Sequence, residues 1–420
     1  METPLRTAIL HYAAPPEVGG VEAVMDAHAR VFAANGYPVK IIAGRGDAAG
    51  LPNGAQLTII PEIDSQHPEI LSISAELEQG RMPAGFAEMR ARLAAALRPV
   101  LEDVDVLIVH NVFTKHFNLP LTAALIDLIE EGVIGRCIAW GHDFTWTSPN
   151  SRSKVFPGFP WDLLRTAHPG VRYVAVSDHR QRELAELLGV PTTEVEVVYD
   201  GVDPCVWFGL SPEGWDLIQR MDLLSGDMIL LMPVRITQAK NIELAQRVLV
   251  KLKEKHCRPR LVVTGPPDPH NKDSMAYYQT LLDLRKELYL EEEMCFVFET
   301  RIKADSPPLI SQQIVADLTR ISDLLFMPSH REGFGMPVLE AGLVGIPIIS
   351  SANVPAAVEI GEKNVYLFDT HSTPEEIARM ILDEVINTRS ARFRKEVRQN
   401  FTWDQIFTRK IEPLLRGKPA

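Results

Sequence analysis

Short apolar runs alternate with amphipathic helical stretches along most of the chain, and that rhythm predicts the architecture. Residues 7–11 and 38–43 are largely apolar and of strand length, and read as buried strands. Between them, 21–34 has the spacing of an amphipathic helix, so the three segments predict a βαβ unit with parallel strands. Runs at 105–110, 137–140 and 173–177 continue the series. Residues 178–188 predict a helix with Ser177 at its N-cap, closed by Gly189 and Pro191. A second series begins near Met228, with strands at 228–232, 260–265, 295–298, 323–327 and 346–350.

The turn-rich polar stretch 200–214 predicts a linker between the two series. The expected architecture is therefore α/β: two doubly wound, Rossmann-like domains facing a cleft, at 1–205 and 206–392. The tail from Arg389 is helical in pattern, with Phe393, Val397, Phe401 and Trp403 as apolar anchors. It predicts a helical segment, 393–420, that crosses back to the N-terminal domain. In such sheets ligands bind outside the carboxyl ends of the strands, so the loops that follow strands are where chemistry is expected.

Composition narrows the class. The 420 residues suit two domains of about 200 residues each. The 46% apolar and 23% charged content is that of a soluble globular protein. A net charge of −12 argues against nucleic acid and anionic lipid as partners. Cys137, Cys205, Cys257 and Cys295 lack any paired spacing for zinc or redox work. The first residues carry no signal pattern, and no apolar run is long enough to span a bilayer. The expectation is a cytoplasmic protein without an integral membrane segment.

The most informative stretch is 330–341, where Glu332 and Glu340 bracket Gly333-Phe334-Gly335-Met336-Pro337. Glycines let a backbone approach a ligand, and Pro337 suits the first turn of a helix. A loop running into a helix N-terminus favours anionic or hydroxyl-rich ligands. A carboxylate that accepts two hydrogen bonds suits a vicinal diol. Arg235 and Lys240 follow a strand and precede a helix, where two cations can meet a diphosphate. His142 and Asp143 follow the strand that ends at Trp140, and Gly19-Gly20 lies ahead of the first helix. His110-Asn111 and Lys115-His116 also follow a strand end. The loop 146–170 is long and aromatic, with Arg152 and Lys154 near its start.

With these motifs in hand, the chain resembles the retaining glycosyltransferases of family 4, which have the two-domain GT-B fold. The resemblance rests on the paired glutamates, the stretch 232–241 with Arg235 and Lys240, the runs 174–177 and 197–203, and the Gly19-Gly20 loop. It implies that Arg235 and Lys240 contact a donor pyrophosphate. Glu332, with the backbone of Gly333, Phe334, Gly335 and Met336, holds the donor sugar, and Glu340 the ribose diol. His142 lies near the reacting hexose, and Gly19 and Gly20 approach phosphate or acceptor. Asp143 orients His142 or binds acceptor, and Arg152 and Lys154 grip an anionic acceptor.

The expected activity is transfer of a glucosyl or mannosyl group, from a donor such as UDP-glucose or GDP-mannose, to a small soluble acceptor: a sugar, sugar phosphate or glycerate derivative. The first helix is not basic, which favours a soluble acceptor over a lipid. The nucleotide sugar is a co-substrate, and no metal or other cofactor is required. A glycoside phosphorylase, a sugar-nucleotide epimerase, a lipid-directed transferase and a catalytically idle sensor stay open, as does a homo-oligomer. Rival chemistries have little support. The chain has no G-x-S-x-G elbow and no dinucleotide fingerprint after its first strand, and Asp103-Val104-Asp105 precedes a strand it is placed to cap.

Overall fold

The computed structural model describes residues 4–16, 19–268, 273–302 and 310–418. It divides into two compact units, one of residues 1–201 with 403–420 and one of residues 202–402.

The N-terminal unit is built on seven parallel strands: β1 (Thr7–Leu10), β2 (Val39–Ala43), β3 (Ala55–Ile59), β4 (Val106–His110), β5 (Cys137–Gly141), β6 (Val171–Ala175) and β7 (Val195–Val197). Their order is β3-β2-β1-β4-β5-β6-β7. Alternate residues feed two different cores. Ala8, Leu10, Leu107 and Val109 face one layer of helices, while Ile9, Val106, Ile108 and Trp140 face the other. Burial on both faces is why these strands are continuous apolar runs. The 178–188 helix forms as its caps require: the Ser177 side chain accepts from the Arg180 N–H, and Gly189 closes it with φ +67°.

The C-terminal unit repeats the plan with β8 (Met228–Met232), β9 (Pro259–Val263), β10 (Met294–Phe296), β11 (Leu324–Met327), β12 (Ile348–Ser351) and β13 (Tyr366–Phe368). The order is β10-β9-β8-β11-β12-β13, all parallel. Met228, Leu230 and Met232 enter one core, and Ile229 and Leu231 the other.

Several expectations change on contact with the structure. The run 295–298 is not one strand: β10 ends at Phe296 and Val297–Ile302 is helical. Residues 204–214 are not an open linker. They hold the helix Pro204–Trp207 and the start of Pro212–Arg220, and Ser211 donates to the buried Asp317 at 2.5 Å. The loop 146–170 is not structureless, because Val155, Trp161 and Leu164 are buried in the core and two 3₁₀ turns order it.

Of the expected tail anchors, Phe393 is 70% exposed. The helix Arg389–Asn400 is held instead by buried Arg398, which donates to Asp323 at 2.9 Å and to the carbonyls of Gly226 and Asp227. That helix belongs to the C-terminal unit, and Ile406, Phe407, Ile411, Leu414 and Leu415 pack into the N-terminal core. No helix among the described residues is long and apolar enough to cross a membrane.

Candidate functional site

In each sheet the strand order reverses beside its first strand, between β1 and β4 and again between β8 and β11. A doubly wound sheet opens a crevice at such a point, because the loops on either side leave in opposite directions.

At the C-terminal reversal, the loops after β8 and β11 are tied by backbone. The carbonyl of Ala239 accepts from His330 at 2.8 Å and from Arg331 at 3.4 Å. This sets Lys240 against Glu332, whose Oε2 accepts from Nζ at 2.5 Å, with both side chains 16% exposed. Ser329 donates to the same carboxylate oxygen at 3.3 Å, and its own carbonyl accepts from the Ser351 hydroxyl at 2.6 Å. Arg235 stands at the same rim, more open, its guanidinium 3.9 Å from the carboxylate of Asp268.

Gly335 caps the helix Met336–Val344 with φ +102°, and a Cβ there would lie 2.6 Å from Val354 Cγ1. Its conformation and its packing both demand glycine. Gly333 has open space around it and no left-handed backbone, so the fold makes no such demand there. Phe334 and Met336 are exposed beside the helix N-terminus. Glu340 lies one turn into that helix and is half-buried. Lys240 and Glu332 thus meet on the loops beside this helix N-terminus, an arrangement suited to a phosphate with hydroxyls beside it.

The N-terminal reversal is built from neutral rings. His11 donates its Nδ1–H to the carbonyl of His110 at 2.9 Å, leaving Nε2 3.7 Å from Glu22. His110 Nδ1 meets His142 Nε2 at 3.1 Å, and His28 packs edge-on to Trp140 and Trp403. Burial keeps all four imidazoles uncharged. His28 is pushed down to about 3, with His142 adding to the effect, and His142 to about 4, with His11 adding. His110 lies well below the ordinary range, and His11 is lowered despite its carbonyl and Glu22.

Asn111 holds this region in register. At φ +60° its Oδ1 accepts from the N–H of His142 at 2.9 Å and of Asp143 at 3.3 Å. The Asp143 carboxylate pairs with Arg180 at 3.2 Å. Gly19 caps the helix Gly20–Ala34 in extended backbone, so neither glycine is needed for a left-handed turn. Lys154 is paired with Glu78 at 3.1 Å, and Arg152 is exposed.

Arg235, Lys240, Glu332 and the 333–340 segment therefore meet at one reversal, while His142 and Asp143 lie at the other. Sequence reasoning passed over His11, Glu22 and His28. His11 carried a signal, since it directly follows β1, the strand beside the reversal. His28 looked like any helix position. No group of three or more His, Cys, Asp or Glu side chains among the described residues is arranged to hold a metal.

A family model described as Glycosyltransferase Family 4 matches residues 18–205, and one described as Glycosyl transferases group 1 matches 215–400. A D-inositol 3-phosphate glycosyltransferase of Kineococcus radiotolerans is 30% identical over 185 residues, covering 43% of this chain and 39% of that one. The match thus spans well under half of that relative's length. An uncharacterised glycosyltransferase of Methanocaldococcus jannaschii is 23% identical over 417 residues, 96% of each chain. The crystal structure of a glycosyltransferase from Rickettsia africae is 17% identical and aligns over 98% of both chains with a TM-score of 0.36.

Proposed function

Because the chain belongs to the family 4 glycosyltransferases of GT-B fold, we propose that it moves a hexosyl group, glucosyl or mannosyl, from a nucleoside-diphosphate sugar to a small acceptor with retention at the anomeric carbon. The observation that carries this reading is the Lys240–Glu332 pair, held where the loop after β8 is tied to the loop that leads into the Met336–Val344 helix.

The donor lies at the C-terminal reversal. Arg235 and Lys240 neutralise the diphosphate as the bond from the anomeric carbon to its oxygen breaks. Lys240 spends one N–H on Glu332 and keeps two for phosphate. Glu332 and the backbone of Gly333 to Met336 fix the sugar hydroxyls, and Glu340 takes the ribose diol. The acceptor oxygen attacks the anomeric carbon on the face the phosphate leaves, and its proton passes to the departing phosphate oxygen. Positioning carries much of the acceleration in such a step. His142, which burial keeps uncharged at neutral pH, can exchange a hydrogen bond with a sugar hydroxyl without competing for phosphate. The Kineococcus relative is named for an inositol phosphate acceptor, which supports a small, soluble, polyhydroxylated acceptor here.

A thermal-shift panel of UDP, GDP, ADP and their glucose and mannose conjugates tests the reading. A true donor at a hundredfold excess over its Kd adds about 2.7 kcal/mol of apparent stability. The 2′-deoxy form of the preferred nucleotide should bind wild type more weakly, a distinction Glu340→Ala should erase. Absence of any shift across the panel would refute the donor site.

A further inference from the structure

We propose that His110 is a positioning residue: through its Nδ1–H it holds the ring of His142 in the one neutral form that presents Nδ1–H as a hydrogen-bond donor. The assignment of that donor to a hydroxyl of the hexose rests on the transferase reading above. The tautomer itself rests on geometry.

His142 is gripped from the end of β4 at two points, by consecutive residues. Asn111 Oδ1 accepts from its backbone N–H at 2.9 Å, and His110 Nδ1 lies 3.1 Å from its ring Nε2. The gripping residues are fixed in turn. His110 pairs with Trp140 in the register of β4 with β5, and the Asn111 N–H donates to the Trp140 carbonyl at 2.9 Å. The His110 carbonyl accepts from His11 Nδ1 at 2.9 Å. The rings of His110 and His142 are nearly stacked, 5.4 Å between centres and 27° from parallel.

Burial keeps both rings neutral, and a neutral imidazole carries one N–H. The hydrogen of their contact therefore belongs either to His110 Nδ1 or to His142 Nε2. The first choice leaves His110 Nε2 bare, and the second puts a hydrogen on it. That atom decides between them, since it is buried with no hydrogen-bond partner among the described residues.

Its surroundings favour leaving it bare. Trp140 and His28 stand beside it, their ring centres 5.8 and 5.3 Å from that of His110 and 4.7 Å from each other. Trp140 Nε1 and both ring nitrogens of His28 are likewise buried without a partner among the described residues. Trp140 brings an N–H, and neutral His28 brings one N–H and one lone pair. A bare His110 Nε2 makes this group two donors and two acceptors. A protonated one would make three donors against a single acceptor, in a region closed to water where like ends of dipoles repel with little screening. In backbones, too, orphaned buried N–H groups are rarer than under-satisfied acceptors. The shared hydrogen sits on His110 Nδ1, His142 accepts it at Nε2, and His142 carries its own hydrogen on Nδ1.

The consequence is a fixed polarity. Nδ1 is the ring nitrogen of His142 left for a ligand, and in this form it only donates. A sugar hydroxyl is bound there through its oxygen, whereas an ammonium substituent, which has no lone pair, is refused. A histidine free to choose its tautomer would accept as well as donate and would lose that preference.

The test uses the full chain with nitrogen-15 in its histidine rings. Proton–nitrogen correlation spectra at neutral pH are recorded for wild type, for His142→Gln to assign the ring, and for His110→Phe. Wild type should show His142 protonated at Nδ1 and bare at Nε2. In His110→Phe, which fills the same space without nitrogens, His142 should lose that single form; His110→Leu serves if the phenylalanine variant does not fold. A wild-type His142 protonated at Nε2 overturns the proposal, and so does a folded His110 variant in which His142 keeps the Nδ1–H form unchanged. Turnover gives a separate readout. His110→Phe should lower kcat/KM for the nucleotide sugar about fivefold, the scale of one hydrogen bond, with affinity for the bare nucleoside diphosphate unchanged. An unchanged kcat/KM would overturn the assignment to the hexose. Wild type that turns over no nucleotide sugar counts against the transferase reading alone, because the spectra still judge the tautomer.

Discussion

The two strand-order reversals occupy equivalent places in equivalent sheets, yet they are furnished with opposite chemistry. At β8/β11 the side chains are an ion pair and an exposed arginine. At β1/β4 they are four imidazoles held neutral by burial. Topology explains why both places are crevices. It does not explain what fills them. A charged crevice suits a diphosphate, whose departure must be stabilised, whereas a neutral one suits hydroxyl groups, which need donors and acceptors without a strong field. The lesson is that strand order locates a site and loop composition decides its ligand.

The sharpest way to break this comparison is to remove charge at the C-terminal reversal. Lys240→Met should lower turnover by about 10²–10³-fold, the usual scale for losing one group aimed at developing charge. Nucleotide-sugar turnover measured beside His142→Ala would show whether the charged crevice carries more of the rate. Equal, small losses from both would sink the division of labour.

The neutral reversal should announce itself through pH. An imidazole whose folded pKa is depressed contributes stability that is complete above the unfolded value near 6.5. That contribution drains away as pH falls through 6.5, because the unfolded chain takes protons the folded domain refuses. For His142 the loss runs to about 4 and for His28 to about 3. Each should cost roughly 2 kcal/mol between pH 6.5 and 5. Denaturant midpoints for His28→Phe should fall less steeply with acid than those of wild type. Identical slopes would mean His28 is not buried neutral.

Smaller effects separate the two glycines of the 333–335 loop. Gly335→Ala places a Cβ against Val354 at a left-handed backbone, so it should cost about 1–3 kcal/mol. Gly333→Ala meets open space and should change stability by no more than about 0.5 kcal/mol. Any large effect of Gly333→Ala on nucleotide-sugar affinity would then report on ligand approach and not on folding.

Much of the fold was legible because doubly wound parallel strands are buried on both faces. Runs such as 8–10, 106–109 and 228–232 have to be continuously apolar, and a sequence reader can see that. Strands β3, β7 and β13 went unseen for the complementary reason. They lie at sheet edges, are three to five residues long and are only partly buried, so no strong pattern is required of them. Only the hold on the first tail helix went unseen, because that helix is anchored by Arg398, a charge whose partners come from residues 226, 227 and 323. A hydrophobic count cannot find such an anchor.

The same division runs through the site. Gly335, Pro337 and the flanking glutamates could be read along the chain, because a left-handed cap and a helix start impose local rules on residue type. Their meeting with Lys240 could not, since Ala239 and His330 are brought together only by the pairing of β8 with β11. The histidine cluster needed tertiary structure as well: His11, His28, His110 and His142 come from four separate elements, and their neutrality follows from how completely water is excluded once those elements pack. Sequence by itself determined the alternation of strand and helix, the two sheets and the local geometry of the 333–337 loop, because each follows from short-range periodicity and backbone preference. Tertiary structure alone decided which charges are paired and which rings are neutral, because burial and electrostatic contact depend on distances that chain order does not set.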